Sequence, residues 1–245
     1  MRKNDVNALI EHAKNDFENI KNQYSKALDE TSISSTLQIN IKNFMENLRS
    51  ALDYLAHDIY EKHIAPYRKT NGKPEIIKIF FPYGKTENDF KSGVGSSLPD
   101  LKIVSIKLYE IIEAIQPYKI GDNWLYDFCK ILNDKKHNTL TPQTKTKKQT
   151  MTALSGSSSI TIPINNPNIS IQQGKNANIT FNGVPIQLSN QGIEPLAPGL
   201  ERTITTWIYF KFSDTNIEVL PLLKKSIDGI KILSGKVYQE ILIRS

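Results

Sequence analysis

Phe44-Met45-Glu46-Asn47-Leu48-Arg49-Ser50-Ala51-Leu52-Asp53-Tyr54-Leu55-Ala56-His57-Asp58-Ile59 sets Phe44, Leu48, Leu52, Leu55 and Ile59 at three- and four-residue spacing. That is the period of one helix face, and strands do not show it. The stripe continues back through Ile41 and Leu37, which predicts a helix from about Thr36 to His63. Upstream, Val6, Leu9, Ile10, Ala13, Phe17, Ile20, Tyr24 and Leu28 repeat the pattern, so a first helix is expected from about Asp5 to Asp29. Thr31-Ser32-Ile33-Ser34-Ser35 between them is rich in capping residues. Two long amphipathic helices joined by a short polar turn predict an antiparallel pair.

Away from the apolar stripe, Arg49, Asp53 and His57 stand at i, i+4 and i+8. On a solvated face such a row is an ion ladder contributing about 0.2–0.5 kcal/mol per pair. Covered by another element, it becomes the wall of a site in which Asp53 would hold both Arg49 and His57.

Beyond this pair the pattern changes. Pro66 to Asp100 reads as a loop, a short strand or extended segment at Ile79–Phe81, and a second loop through Gly93-Val94-Gly95-Ser96-Ser97. Leu101 to Ala114 is apolar at helical spacing and is stopped at Gln116-Pro117-Tyr118. Asp122 is placed to cap a helix from Trp124 to about Lys136. Thr141 to Thr150 reads as a polar, basic connector. From Met151 to Phe212 the chain is rich in Ser, Thr, Asn and Ile. Ser159–Ile164, Asn168–Ile171, Asn178–Phe181 and Thr203–Phe212 alternate as strands do, and Asn182-Gly183 is a hairpin signal. Val219 to Ile243 is helical again. The expected fold is α+β: a helical bundle at 1–140, an inserted antiparallel β region at 141–216, and a C-terminal helix at 217–245 that returns to the bundle.

Composition narrows the functions. The chain has 245 residues and a formal net charge of +6. That excess suits an anionic partner such as RNA without requiring one. No run is long enough to span a membrane. Met1-Arg2-Lys3-Asn4-Asp5 leads into a charged helix rather than an apolar signal segment, so a cytoplasmic location is expected. Cys129 is the single cysteine, and with Phe128 and Ile131 close by it reads as a small core residue. The four histidines show no pair at ligand spacing, and carboxylates do not cluster, so no metal is expected. Gly93-Val94-Gly95-Ser96-Ser97 lacks the Gly-Lys-Ser/Thr ending of a phosphate loop, and no cofactor motif is present.

The densest chemistry lies in Leu132-Asn133-Asp134-Lys135-Lys136-His137-Asn138, at a helix end. A basic residue there can cap loose carbonyls and complement the dipole. Asn133 and Asp134 add acceptors that a cap does not need. The groups suit metal-free RNA cleavage, with His137 as general acid or base and Lys136 or Arg49 stabilising charge on phosphorus.

Four motifs occur in order: Asn47-Leu48-Arg49-Ser50-Ala51-Leu52-Asp53-Tyr54-Leu55-Ala56, Phe81-Pro82, Gln116-Pro117-Tyr118 and Asn133-x-x-Lys136-His137. Over about Phe44 to Leu140 the set resembles a bacterial helical family of unassigned function. That family carries an N-L-R-S-A-L-D-x-L-A helix, an F-P turn, a Q-P-Y stop and an N-x-D-K-H-R segment. The chain departs from it at Lys135, where the family has the acid, and at Asn138, where it has arginine. The helical core is loosely similar to the HEPN class of helical-bundle ribonucleases found in bacterial toxin and defence systems. Arg49 and His57 are one residue too far apart for that class's Arg–His signature. The family supplies no function to carry over, and the likeness to the HEPN class concerns the fold. The residues themselves give the reading of a metal-independent, HEPN-like ribonuclease with Arg49 and His137 as the active pair, supported by Asp53, Asn133 and Lys136. The alternative is a non-enzymatic binding or assembly protein, a homo-oligomer through its amphipathic helices, whose polar motifs form a buried network.

Overall fold

Helix α1 runs Lys3–Ala27 and α2 runs Ser35–Ile59 in the computed structural model. The model describes residues 1–27, 33–135, 143–166, 169–171, 173–174 and 177–243, with Lys135 described by its backbone alone. The first helix's expected end at Leu28 and Asp29 lies outside these residues. Ser34 caps α2, its hydroxyl accepting from the Leu37 N–H at 3.2 Å. Val6, Ile10, Ala13, Ile20 and Tyr24 are buried, as are Leu37, Ile41, Phe44, Leu48, Leu52, Leu55 and Ile59, so the two stripes face inward. The helices pack on each other along their length.

The second helix continues past Ile59 as a π turn, Tyr60–Ile64, and then as α3, Ala65–Thr70. Pro66 explains the change of pitch. It has no N–H to give the Lys62 carbonyl, and its ring would strike that carbonyl in an α-helix. Widening the preceding turn removes the clash, and Ala65 N–H bonds Tyr60 O instead.

Between Pro66 and Ala114 the structure takes the extended alternative at Ile79–Phe81 and makes two corrections. Ile79–Phe81 is extended but belongs to no strand, because the Phe81 N–H bonds a side chain rather than a neighbouring strand. The glycine-containing segment expected as a loop is the second half of α4, Glu87–Ser97, which a Thr86–Asp89 capping box starts and buried Phe90 and Val94 anchor. The expected single helix from Leu101 is two, α5 (Leu101–Val104) and α6 (Ile106–Glu113). Ser105 breaks it by turning extended and capping Leu108 N–H. Pro117 ends that run and opens the short α7, Pro117–Ile120. Asp122 then caps α8, Trp124–Lys135, accepting from Trp124 N–H at 3.0 Å.

The C-terminal helix α9, Val219–Ile243, packs against α1, α2, α6 and α8. Trp124 lies so close to it that a Cβ on Gly229 would sit 2.4 Å from the indole Cζ2. Asp58, 1% exposed, joins three parts of the bundle. Its carboxylate accepts from the Arg2 backbone N–H (2.7 Å), the Arg2 guanidinium (3.0 Å) and the Tyr238 hydroxyl (2.9 Å).

The described chain divides into two compact units, Met1–Thr144 with Lys211–Ser245, and Lys145–Phe210. The second is built on two antiparallel three-stranded sheets. The order in one is β2 (Ser158–Ile164), β1 (Gln143–Ser155), β6 (Glu201–Phe212); in the other it is β3 (Ile179–Phe181), β4 (Val184–Ser189), β5 (Gly192–Pro195). Met151, Ala153, Ile164, Ile186 and Ile193 form their shared core. Asn182 and Gly183, both at positive φ, make the β3–β4 turn. From Gln143 onward the segment expected as a connector is strand β1, its lysines and threonines alternating between two exposed faces. The segment expected as a strand at Asn168–Ile171 is not one where it is described: Ile171 N–H is taken by the Asn190 side chain. The protein is α+β, and no helix among the described residues is long and apolar enough to cross a membrane.

One ion cluster ties the chain around α3. Arg68, nearly buried, donates to Pro74 O at 2.9 Å and pairs with Asp100, which also receives Lys73 at 2.6 Å. The Lys73 ammonium, with Arg68 beside it, holds the Asp100 carboxyl below its usual range. A depressed carboxyl contributes stability above its unfolded pKa near 3.9 and loses it as pH falls through the folded value. Asp100→Asn keeps the left-handed backbone (φ 67°) that asparagine also tolerates. The variant is expected to be less stable than wild type at neutral pH, the difference shrinking below about pH 4. Urea unfolding across that range measures it, and a difference independent of pH would refute the assignment.

Candidate active-site cleft

The polar row of α2 does not face open solvent. A cleft of about 620 Å³ opens beside it, lined by Glu46, Arg49 and Asp53 of α2, the 80–83 segment, Gly93 and Ser97 of α4, and Leu132 and Asn133 of α8.

Arg49 is its centre. The Nε–H donates to Asp53 Oδ2 at 3.3 Å, Nη2 lies in ion-pair range of Oδ1 at 3.3 Å, and Nη1 donates to Cys129 Sγ at 3.0 Å. The guanidinium also lies over the Tyr83 ring, 5.4 Å from its centroid. Of its five N–H groups, two donate hydrogen bonds among the described residues. The side chain is 18% exposed, so the remaining donors sit at a mostly buried wall of the cleft. Burial works against the guanidinium's charge, and Cys129 and Asp53 more than offset it, so its pKa is raised.

Asp53 does a second job. Its Oδ1 accepts the Phe81 N–H at 2.8 Å and fastens the Phe81–Gly84 turn to α2. Gln116, fully buried, grips the same turn from the other side: its Oε1 accepts from Gly84 N–H at 3.1 Å, and its Nε2 donates to Pro82 O at 3.4 Å and Ile112 O at 3.1 Å. That turn presents Tyr83, whose hydroxyl accepts from the Asn133 amide at 2.7 Å. Residues from four separate segments thus meet through one small turn.

Arg49, Asp53 and Asn133 therefore come together. Lys136 and His137 lie outside the described residues. His57 is not among the residues lining the cleft, and Asp53, expected to hold both Arg49 and His57, spends its second contact on the Phe81 backbone. Tyr83 and Gln116 were missed as site residues. Their only signal was position, within or beside motifs already noted for other reasons. Among the described residues no three His, Cys, Asp or Glu side chains gather as a metal set.

Cys129 is fully buried, and burial pushes its thiol up to about 11 despite the neighbouring Arg49. At neutral pH it is a neutral acceptor for the guanidinium, and the charged partner of Arg49 is Asp53. Native protein should resist iodoacetamide at pH 7 and take up one equivalent only when unfolded in urea, as followed by mass spectrometry. Rapid labelling of the native chain would show an accessible, activated thiolate instead.

No protein-family model, curated protein or solved structure matches the chain.

Proposed function

We propose that the cleft binds RNA and that the protein is a metal-independent, HEPN-like ribonuclease of a bacterial toxin or defence type, working in the cytoplasm. The observation that carries this reading is Arg49: a guanidinium oriented by Asp53, with N–H donors left over at the wall of an open cleft. Such a group suits a phosphate whose charge grows during reaction. Asn133 lines the same cleft, and Lys136 and His137 follow it by three and four residues in the chain. In this reading the ribose 2′-oxygen attacks phosphorus as a base removes its proton. The bond to the 5′-oxygen breaks, and that oxygen takes up a proton. His137 serves as the acid or base, Lys136 and Arg49 hold the phosphoryl oxygens, and Asp53 and Asn133 position Arg49 and Tyr83.

Purified protein is expected to degrade RNA with EDTA present. His137→Ala and Arg49→Ala should each lose roughly a hundredfold or more of that activity, with circular dichroism unchanged. Absence of cleavage by the wild type would overturn the reading. The mutual pairing of Arg49, Asp53 and the Phe81 N–H favours a second one, in which these groups are a register-setting network in a binding or assembly protein. There Arg49→Ala lowers stability, and the wild type cleaves nothing.

A further inference from the structure

The second compact unit carries a surface that the cleft does not explain. Among residues 145–210 the acids are Glu194 and Glu201 alone, against Lys145, Lys147, Lys148, Lys175 and Arg202. Glu194 is paired with Arg202. In the helical unit, exposed lysines such as Lys91, Lys130 and Lys224 sit on a carboxylate of their own helix. Lys147 and Lys148 of β1 are exposed and have no acidic partner among the described residues.

These lysines share a two-stranded ribbon with the apolar part of β6. The Gln149 amide donates to Thr206 Oγ1 at 3.1 Å, so Gln149 and Thr206 project from one face. Alternation along each strand then puts Lys147 and Ile208 on that face, and Lys148 and Trp207 on the other. Trp207 is 58% exposed, and Ile208 is exposed as well. Between Thr203 and Phe210 this edge strand has no charge and no proline, the usual protections of an open edge. By contrast the other edge of the sheet, β2, carries Pro163. Glu201 opens β6 on the Trp207 face but stands six residues away along the strand.

A half-exposed indole on the same face as the unpaired Lys148 ammonium, with Lys147 next to it on the opposite face, fits a single nucleic acid strand. The bases can stack on the ring while the phosphates meet the lysines. We propose that the β1–β6 ribbon, through Lys148 and Trp207 on one face with Lys147 beside them on the other, is a contact surface for single-stranded RNA. The charge decides for RNA over an acidic peptide or a second copy: the unpaired cations are matched by a polyanion that also offers aromatic faces, and residues 145–210 carry five basic against two acidic side chains, an excess that a second copy would repeat rather than neutralise.

The test uses the full chain and a fluorescein-labelled 2′-O-methyl oligouridine of about 12 nucleotides. Its blocked 2′-oxygen prevents metal-free cleavage, so the result does not depend on whether the cleft is a nuclease site. Fluorescence anisotropy at several salt concentrations should show binding that weakens with salt. Trp207→Ala should weaken it at least fivefold, the lower end of base stacking on an aromatic ring. Replacing Lys147 and Lys148 by glutamine should flatten the salt slope by about 0.7 per lost phosphate contact. Both positions are exposed, and matched thermal unfolding of the variants checks that the sheets persist. Binding lost in Arg49→Ala but unchanged in these variants would place RNA in the cleft alone and overturn the proposal. So would a dimer that forms without RNA and is abolished by Trp207→Ala.

Discussion

Gly84→Ala is expected to destabilise the protein by about 3 kcal/mol, near the upper end for overpacking, and to lower any activity of the cleft with it. An added Cβ would lie 2.3 Å from the Phe90 nitrogen and 2.7 Å from the Asp89 carbonyl carbon. Both are backbone atoms in the first turn of α4. That turn cannot move freely, because Thr86 and Asp89 cap it reciprocally and Phe90 is fully buried. The substitution therefore displaces the Phe81–Gly84 turn and strains the hydrogen bond from Gly84 N–H to Gln116. Gly95→Ala is the control on the same helix: nothing lies within 4 Å of its added Cβ. Helix propensity alone should then make it neutral or more stable by about 0.8–1 kcal/mol. Urea midpoints of the two variants decide the matter. Equal effects would mean that the turn and α4 are not packed as described.

Asp58→Ala should cost about 2–4 kcal/mol, because two donors are left without acceptors at about 1–3 kcal/mol each. The carboxylate is almost wholly buried and serves Arg2 twice and Tyr238 once. Its loss leaves the Arg2 N–H, at the start of α1, and the Tyr238 hydroxyl without acceptors inside the bundle. Arg2 keeps Glu61 at 2.7 Å, but that pair is exposed and weak. Tyr238→Phe removes a single bond and should cost about 1 kcal/mol. The contrast between the two variants in denaturant unfolding is the test. A loss at Asp58 no larger than at Tyr238 would show that Arg2 contributes little.

The Arg49–Asp53 pair illustrates how far local reading reaches. Four residues apart on one helix, they had to be neighbours, and they are. Whether the pair lay in water or in a site depended on Phe81, Tyr83 and Cys129, which lie 28, 34 and 80 positions from their α2 partners along the chain. No local pattern encodes those contacts. Gln116 is similar: beside Pro117 it reads as a helix stop, and only packing shows its amide satisfying the backbone of a turn 32 residues earlier. The misreadings have physical causes too. Glycines suggested a loop at Gly93–Ser97, but the capping box and two buried apolar anchors outweighed their helix penalty. The lysines and threonines of β1 suggested a connector because both faces of its first half are exposed, so no apolar alternation marked it as a strand.

Periodicity determined the two long N-terminal helices, the C-terminal helix and the α+β class, and a turn dipeptide determined the Asn182-Gly183 hairpin. Each rests on residues within a few positions of one another. Tertiary structure decided the pairing of two sheets, the convergence of Asp53, Tyr83 and Asn133 on one cleft, and the place of Gln116 behind it. Those depend on which distant backbone N–H and C=O groups find partners once the core closes. That pairing is set by packing of the whole chain, and short sequence windows do not contain it.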